Sequence, residues 1–295
     1  MSTFLLLTIT GLGVGALYFL LASGLSLIFG LMRILSFAHG AFLSVCAYVA
    51  WAVIEQLPTG SVSGLVLAIG LAAAAGGLLA LLTELVVIRP LVGRELEQLL
   101  ATVGVGFAFV ALLRGVYGPD ERLVRLPRFL SSVTEIGGVS VPNNRFLAIV
   151  AAMVVLTAIL LFLKKTRHGL IIRAGVEDRE MVQALGIDVR RSFTLVFTLG
   201  GVAAGLAGGL AAVYYRSVNA SMGDQVLIFS FIVLVIGGLG SIVGAGIAAV
   251  IIGWTQSLAN YYFYNGVGDL LVIALLVVVL LVRPQGIVGK KSRLA

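Results

Sequence analysis

The sequence predicts an all-α polytopic membrane protein with about 8 to 10 transmembrane or broken helices in two weakly related halves. Two observations favour this fold class. Hydrophobic residues make up 60% of the 295 residues and charged residues only 11%, with a mean hydropathy of +1.13, which cannot supply a water-facing surface. The apolar runs are also too continuous for barrel strands, which alternate over roughly 10 residues. We therefore interpret each apolar run as a helix of a single transmembrane domain, residues 1–295.

The predicted spans follow one another along the chain. The first, 4–32, has no Lys or Arg ahead of it, so it lacks the basic region of a signal peptide and is expected to be retained. The stretch 226–258 would be roughly 50 Å long as one helix, well beyond a hydrocarbon core of roughly 30 Å. A break at 237–241 is expected, because its glycines weaken a helix interior. The other predicted spans are 35–54, 62–88, 99–117, 146–163, 193–215 and 270–282.

Basic residues set the predicted orientation, since cytoplasmic loops are enriched in Lys and Arg. When 226–258 is counted as two spans, 14 of the 20 Lys and Arg fall on one side of the membrane. We assign this side to the cytoplasm, and the C-terminus lies on the same side. The longest loop on that side is 164–191, and 118–145 forms an extracytoplasmic loop. Topology therefore accounts for the net charge of +7 without a nucleic-acid partner.

Loop 164–191 contains a short amphipathic pattern. Acids come first and a glycine ends it, as the helix dipole and a C-terminal cap favour. Two interpretations remain open: a solvated helix at the membrane surface, or a helix that docks into a groove of a cytoplasmic partner. The pattern consists of Val176, Met181, Val182, Leu185 and Ile187, the acids Glu177, Asp178 and Glu180, and Gly186.

Several motifs, in order along the chain, resemble those of the permeases of bacterial ATP-binding-cassette importers for branched-chain amino acids. The loop motif combines Arg173-Ala174, Glu177-Asp178 and Leu185-Gly186-Ile187. The others are Ser36-Phe-Ala-His-Gly40, Arg89-Pro-Leu, Ala101-Thr-Val-Gly104, Gly237-Gly-Leu-Gly-Ser-Ile-Val-Gly-Ala245 and Arg283-Pro-Gln-Gly-Ile-Val-Gly289. Jointly they cover nearly the whole chain.

The resemblance implies a permease subunit in the inner (plasma) membrane of a bacterium that moves a small solute driven by other subunits. The implied partners are two ATPase subunits, a second homologous permease, in a heterodimer in preference to a homodimer, and a soluble periplasmic or lipid-anchored binding protein. Branched-chain or other amino acids are the implied solutes, with urea, amides or other small organic solutes as the alternative. ATP and Mg would be bound by the partners, so no cofactor is expected in this chain.

The resemblance also implies two sets of site residues. In the coupling loop, Val182, Leu185 and Ile187 would fill a groove on the ATPase, while charges at its rim set the register. The second set would line the translocation pathway, although His39 could instead be a buried imidazole bonded to a neighbouring helix. The coupling set is Arg173, Glu177, Asp178, Val182, Leu185, Gly186 and Ile187; the pathway set is Ser36, Phe37, His39, Gly40, Gly240 and Ser241.

Other classes of protein fit the residues less well. A stand-alone secondary transporter or channel would bury several charges, whereas this chain offers Glu84, Arg114 and Asp269, all near span ends. An enzyme is not expected, since the two histidines are far apart and a single cysteine permits no cysteine metal site. The sequence Gly-Lys-Lys-Ser at 289–292 lacks the earlier glycine of a phosphate-binding loop, because Pro284 stands there.

Overall fold

The computed structural model describes residues 2–56, 61–136, 138–177, 182 and 189–288. Within these residues the chain is almost entirely helical, and seven helices are long and apolar enough to cross a membrane. Two shorter apolar helices, Met222–Gly237 and Val267–Val282, accompany them. The predicted fold class is therefore confirmed.

The elements are numbered here in chain order. The helices are α1 (Ser2–Met32), α2 (Ala38–Gln56), α3 (Val62–Thr83), α4 (Glu95–Tyr117), α5 (Arg128–Ser131), α6 (Asn143–Lys165), α7 (Arg167–Glu177), α8 (Val189–Tyr215), α9 (Met222–Gly237), α10 (Ile242–Tyr262) and α11 (Val267–Val282). The strands are β1 (Arg122–Leu123), β2 (Val133–Ile136), β3 (Val139–Pro142) and β4 (Ser217–Val218), with β1 antiparallel to β4 and β2 antiparallel to β3. Helix α3 continues through a π-helical turn, Glu84–Ile88, and a 3-10 turn, Arg89–Leu91.

The bundle has two ends, which we name by their residues. The basic face is the end where α1, α3 and α6 finish and where α7 lies; the loop face is the end that carries residues 118–142. Gly30, near the end of α1, touches Gly240 and Val176 at the basic face. At the loop face, the Tyr214 hydroxyl at the end of α8 donates to the Thr10 carbonyl near the start of α1, at 3.0 Å. Helix α1 therefore reaches from the loop face to the basic face.

The predicted break in the stretch 226–258 is confirmed. Helix α9 ends at Gly237 and α10 begins at Ile242, with Gly238 and Gly240 between them at φ values of 102° and 82°. Such positive φ values are readily adopted only by glycine. The Ser241 hydroxyl accepts a hydrogen bond from the Gly244 amide at 3.1 Å and so caps the start of α10. Two short helices are thus stable where one long helix would overrun the membrane.

The two halves of the chain, α1–α4 and α8–α11, share an architecture. Arg33 directly follows α1 and Arg216 directly follows α8, and they are the non-glycine residues with positive φ in the described chain, at 57° and 59°. Each is followed by a non-helical segment that leads into the next helix. The caps also correspond: Ser61 binds the amide of Gly64 at the start of α3, just as Ser241 binds that of Gly244.

Helix packing follows the same correspondence. Helix α1 packs closely on α10 through Gly11 and Gly253, and α8 packs closely on α3 through Gly201 and Gly76. A Cβ atom on any of these four glycines would overlap atoms of the facing helix, so the small residue is what permits the contact. Because α1 ends at the basic face whereas α8 begins there, the two halves are inverted repeats.

Candidate functional site

The polar segment predicted from the sequence, 36–40, leads from α1 into α2 and includes the first turn of α2. Ser36 and His39 are fully buried, and a hydrogen bond of 2.9 Å joins His39 Nδ1 to Ser36 Oγ. The amide of Phe37 donates to Thr102 Oγ1 of α4 at 3.2 Å. These side-chain partners satisfy polar groups of a segment that has left its helix inside an apolar environment.

The imidazole of His39 is enclosed by aromatic rings. Its centroid lies 5.2 Å from that of Phe42 and 5.1 Å from that of Phe197 in α8. Nε2 is buried and has no hydrogen-bond partner among the described residues. A Cβ atom on Gly200 would stand 3.2 Å from that nitrogen, so α8 closes over the ring. His39 thus contacts its own chain on every side that the structure describes.

The segment that meets this site belongs to the second repeat. Arg33 and Gly40 are seven residues apart, as are Arg216 and Gly223, and the two glycines touch. The Gly223 amide donates to Ser44 Oγ at 2.9 Å. The segment equivalent to 36–40 is therefore 219–223.

The two inward segments enter the bundle from opposite ends. Residues 33–37 lead inward from the basic face, whereas β4 pairs with β1 at the loop face before 219–221 lead inward to α9. Helix α2 runs toward the loop face, where the Trp51 indole N–H donates to the Leu123 carbonyl at 3.2 Å. Gly40 lies near the opposite end of α2, so its contact with Gly223 places the start of α9 deep within the bundle.

The other two predicted pathway residues lie at the basic face. Gly240 is packed against Gly30 of α1, and the hydroxyl of Ser241 is engaged as the cap of α10. The glycine that meets Gly40 is Gly223, and Gly240 has a different neighbour. The structure thus brings Ser36, His39 and Gly40 together and leaves Gly240 and Ser241 in the turn between α9 and α10.

The predicted coupling segment is described in part. Arg173 is exposed on α7, the helix that runs from Arg167 to Glu177. Val182 is 3% exposed and packs against the main apolar core of its own chain. Its apolar side chain gains more from the core of its own chain than from water. The side chain of Glu177, and Asp178, Leu185, Gly186 and Ile187, lie outside the described residues.

Hydrogen bonds connect the loop face directly to the second inward segment. The Arg216 guanidinium donates to the carbonyls of Leu130 and Ser131 at 3.4 and 3.3 Å, and Asn219 Nδ2 donates to Glu121 Oε1 at 3.1 Å. Sequence reasoning missed this segment. The repeated spacing from arginine to glycine, and the repeated Ser-x-x-Gly caps, are the signals that could have found it.

Membrane-length helices in two inverted repeats, with an inward segment in each, define an integral-membrane transport protein. Comparison with known proteins narrows that class. The model of the family described as "Branched-chain amino acid transport system / permease component" matches residues 7–280. The chain belongs to this family and is a transport permease component.

Relatives align over nearly the whole chain. The high-affinity branched-chain amino acid transport system permease protein LivH of Escherichia coli (strain K12) is 30% identical over 297 residues, covering 95% of this chain and 94% of the relative. BraD of Pseudomonas aeruginosa is 29% identical, covering 96% and 94%. A probable LivH of Methanocaldococcus jannaschii is 29% identical, covering 92% and 88%. Among solved structures, PsaBC from Streptococcus pneumoniae in complex with Fab aligns at 14% identity with a TM-score of 0.49, covering 97% of this chain and 92% of that chain.

Proposed function

We propose that this permease imports branched-chain amino acids as the membrane subunit of an ATP-binding-cassette transporter. The observation that carries the proposal is the extent of the family match, 7–280, together with relatives named for this transport at 95% coverage of the chain. In this proposal residues 1–295 form one transmembrane domain in a bacterial plasma membrane, with the basic face and the C-terminus toward the cytoplasm. ATP hydrolysis is assigned to separate subunits.

The proposed partners act at opposite ends of the bundle. Two ATPase subunits contact loop 164–191 at the basic face, and a soluble binding protein delivers the solute to loop 118–145. A second homologous permease completes the membrane pathway. Exposure of Arg173 on α7, and of Arg122 and Phe129 in the opposite loop, supports this division, because both ends present side chains that a partner can contact.

Within the bundle, we assign the pathway to the region where the inward segments meet. Ser36 and Gly40 hold that junction together with Gly223, and Phe37 is the half-buried member of the group, 4.9 Å from the ring of Phe231. His39 positions Ser36 and does not react with the solute. Gly240 and Ser241 form the cytoplasmic end of the same assembly. Inward segments of this kind mark the solute path in other membrane transporters.

Transport by the complete complex tests the proposal. Purified permease, its partner permease, both ATPases and the binding protein are reconstituted in proteoliposomes, and uptake of radiolabelled leucine, isoleucine and valine is measured with and without ATP. We expect uptake that requires both ATP and the binding protein. Uptake by the permease alone, without ATP, would identify a stand-alone carrier and contradict the proposal. Uptake of urea or short amides in place of leucine would overturn the assigned solute.

The coupling role of the segment around Arg173, Glu177, Asp178, Leu185 and Ile187 is tested at Gly186. Replacing Gly186 with leucine is expected to lower ATP-driven uptake by about tenfold while the complex still hydrolyses ATP, because an interface between moving subunits couples the two activities. The matched control is Gly104→Leu on α4, where the structure leaves open space around the glycine. Coupled uptake unchanged in the Gly186 variant would exclude this segment as the coupling site.

A further inference from the structure

A second polar region lies away from the junction of the inward segments. A cavity of about 760 Å³ opens between α1, α9, α10 and α11. Its rim includes Thr10, near the start of α1, and Asn260, near the end of α10, so it lies in the half of the bundle nearest the loop face. Tyr18, two helical turns deeper along α1, forms part of its floor and stacks on Phe229 with ring centroids 5.1 Å apart. Its volume is typical of sites for small organic ligands.

A directed chain of hydrogen bonds runs through this cavity. The Tyr18 hydroxyl donates to Gln256 Oε1 at 2.9 Å, and Gln256 Nε2 donates to Asp269 Oδ1 at 2.6 Å. Tyr18 and Gln256 are 4% and 8% exposed, so neither end of the Gln256 amide is satisfied by bulk water. This arrangement fixes the orientation of the amide, since Oε1 can only accept and Nε2 can only donate. Gln256 therefore positions the carboxylate of Asp269.

Asp269 is the charged group of the cavity. No other Asp, Glu, Lys or Arg of the described chain lines it, and no Lys or Arg of the described residues lies within ion-pair distance of Asp269. A carboxylate in the membrane part of a protein is costly unless a cation or several hydrogen bonds compensate it. The half-buried Asp269 has one such bond, from Gln256. The cavity therefore offers its remaining carboxylate capacity to a cation.

Asn260 supplies the complementary donor. Its Oδ1 accepts from the amides of Gly266 and Gly268 at 3.1 and 2.8 Å, which fixes the side-chain amide so that Nδ2 remains to donate. No hydrogen bond from this Nδ2 is formed within the described part of the chain. Gly268 directly precedes Asp269, so the Asn260 amide and the Asp269 carboxylate lie close together, as the two charged groups on the α-carbon of an amino acid require. The wall beside them is apolar, with Val14 and Ile273 among its members.

We propose that this cavity binds a free amino acid with an apolar side chain. Its ammonium group pairs with Asp269, its carboxylate accepts from Asn260 Nδ2, and its side chain packs against Val14 and Ile273. A zwitterion needs both an acceptor and a donor site, and an apolar side chain needs a water-free wall. The inference rests on the proposed function, and it assigns to the permease a solute site of its own on the loop-face side.

Cysteine labelling in the complete complex tests the site. Ser257, which lines the cavity, is changed to Cys in a Cys46→Ala background, so that the chain carries one thiol. Proteoliposomes are treated with a membrane-impermeant thiol reagent in the presence of leucine or of 2-hydroxy-4-methylpentanoate, in which a hydroxyl replaces the ammonium group. Leucine is expected to slow labelling, and the hydroxy acid is expected to have no effect. A cysteine at the exposed Ser63, near the start of α3 and outside both the cavity and loop 118–145, is the control, and neither compound should protect it.

A variant that removes the charge of Asp269 tests whether this carboxylate binds the ammonium group. Asp269→Asn is expected to raise the leucine concentration that gives half-maximal protection by about tenfold, because it removes a charge-assisted hydrogen bond. The matched control is Glu95→Gln, which neutralises an exposed acid outside the cavity and outside both loops assigned to partners, and it should leave protection unchanged. ATP hydrolysis by each variant complex verifies that it has assembled.

Each outcome separates this inference from the proposed function. Equal protection by leucine and the hydroxy acid would remove Asp269 as the ammonium partner. An absence of protection, or a thiol of the Ser257→Cys variant that the reagent cannot reach, in a complex that still shows ATP-driven leucine uptake would overturn the site and leave the proposed function standing. Protection by leucine in a complex without ATP-driven uptake would support the site and contradict the proposed function.

Discussion

Residues 33–40 and 216–223 follow similar backbone paths, each from an arginine with positive φ to a glycine at the start of a helix, yet their surroundings differ. In the first segment, Ser36 and His39 bond to each other and are sealed by aromatic rings. In the second, hydrogen bonds lead outward to the loop face. One segment is thus fixed to the core and the other to a surface loop. Equivalent backbone paths thus have different attachments: 216–223 is held by the loop face, and 33–40 is held by the core.

The contact between the two glycines provides the severest test of this comparison. A Cβ atom on Gly223 would overlap the carbonyl oxygen of Gly40, whereas one on Gly40 would stand 2.9 Å from the Leu227 side chain and 3.0 Å from the Gly223 carbonyl oxygen. Gly223→Ala is expected to destabilise the protein by about 3 kcal/mol and Gly40→Ala by less, because the overlap at Gly223 is much deeper. Thermal unfolding of the purified variants measures the difference. Gly104→Ala, in open space, is the control, and equal losses at Gly223 and Gly40 would contradict the asymmetry.

The hydrogen bond from Gly223 to Ser44 is the next test. The Gly223 amide lies in the first turn of α9, where no helical carbonyl can accept from it. Ser44→Ala leaves this buried donor without its acceptor and is expected to lower the unfolding free energy by about 1.5 kcal/mol. Ser23→Ala is the matched control, because the Ser23 hydroxyl only donates to Leu20 within the same helix. A loss no larger than that of the control would show that the bond does not hold the two segments together.

Replacing each of the two arginines with glycine is expected to have the smallest effect on stability. Unlike the variants above, Arg33→Gly is expected to stabilise the protein. A non-glycine residue at positive φ is strained, so Arg33→Gly is expected to stabilise the protein by about 1 kcal/mol. Arg33 is exposed, and no side-chain hydrogen bond is assigned to it in the described chain. Arg216→Gly relieves the same strain but loses the bonds to Leu130 and Ser131, so no gain is expected. The midpoints of thermal unfolding of the two variants are compared. An equal rise in both midpoints would show that Arg216 does not attach the loop.

Much of the fold follows from composition and periodicity alone. The helical class, the spans and the break before Ser241 could be predicted because apolar length and glycine content are local properties. The meeting of Gly40 with Gly223 could not, since it joins residues 183 positions apart whose neighbours differ in chemistry. The burial of Val182 could not be predicted either, because an apolar residue has the same place in an amphipathic pattern whether it faces a partner or its own core. The Asp269 cavity was missed because Gln256 and Asp269 are brought together only by the packing of α10 and α11.

The arrangement of the two repeats has a consequence for membrane insertion. A unit of four crossings, α1–α4, returns the chain to the side from which it started, so a second such unit placed directly after it would enter in the same orientation. One additional crossing is needed to invert it, and α6 provides that crossing. The helix is correspondingly peripheral, with only 11% of its most apolar window buried. Each repeat must therefore satisfy the preference for cytoplasmic Lys and Arg at opposite ends of equivalent helices, a demand that drives their sequences apart while their backbones stay alike.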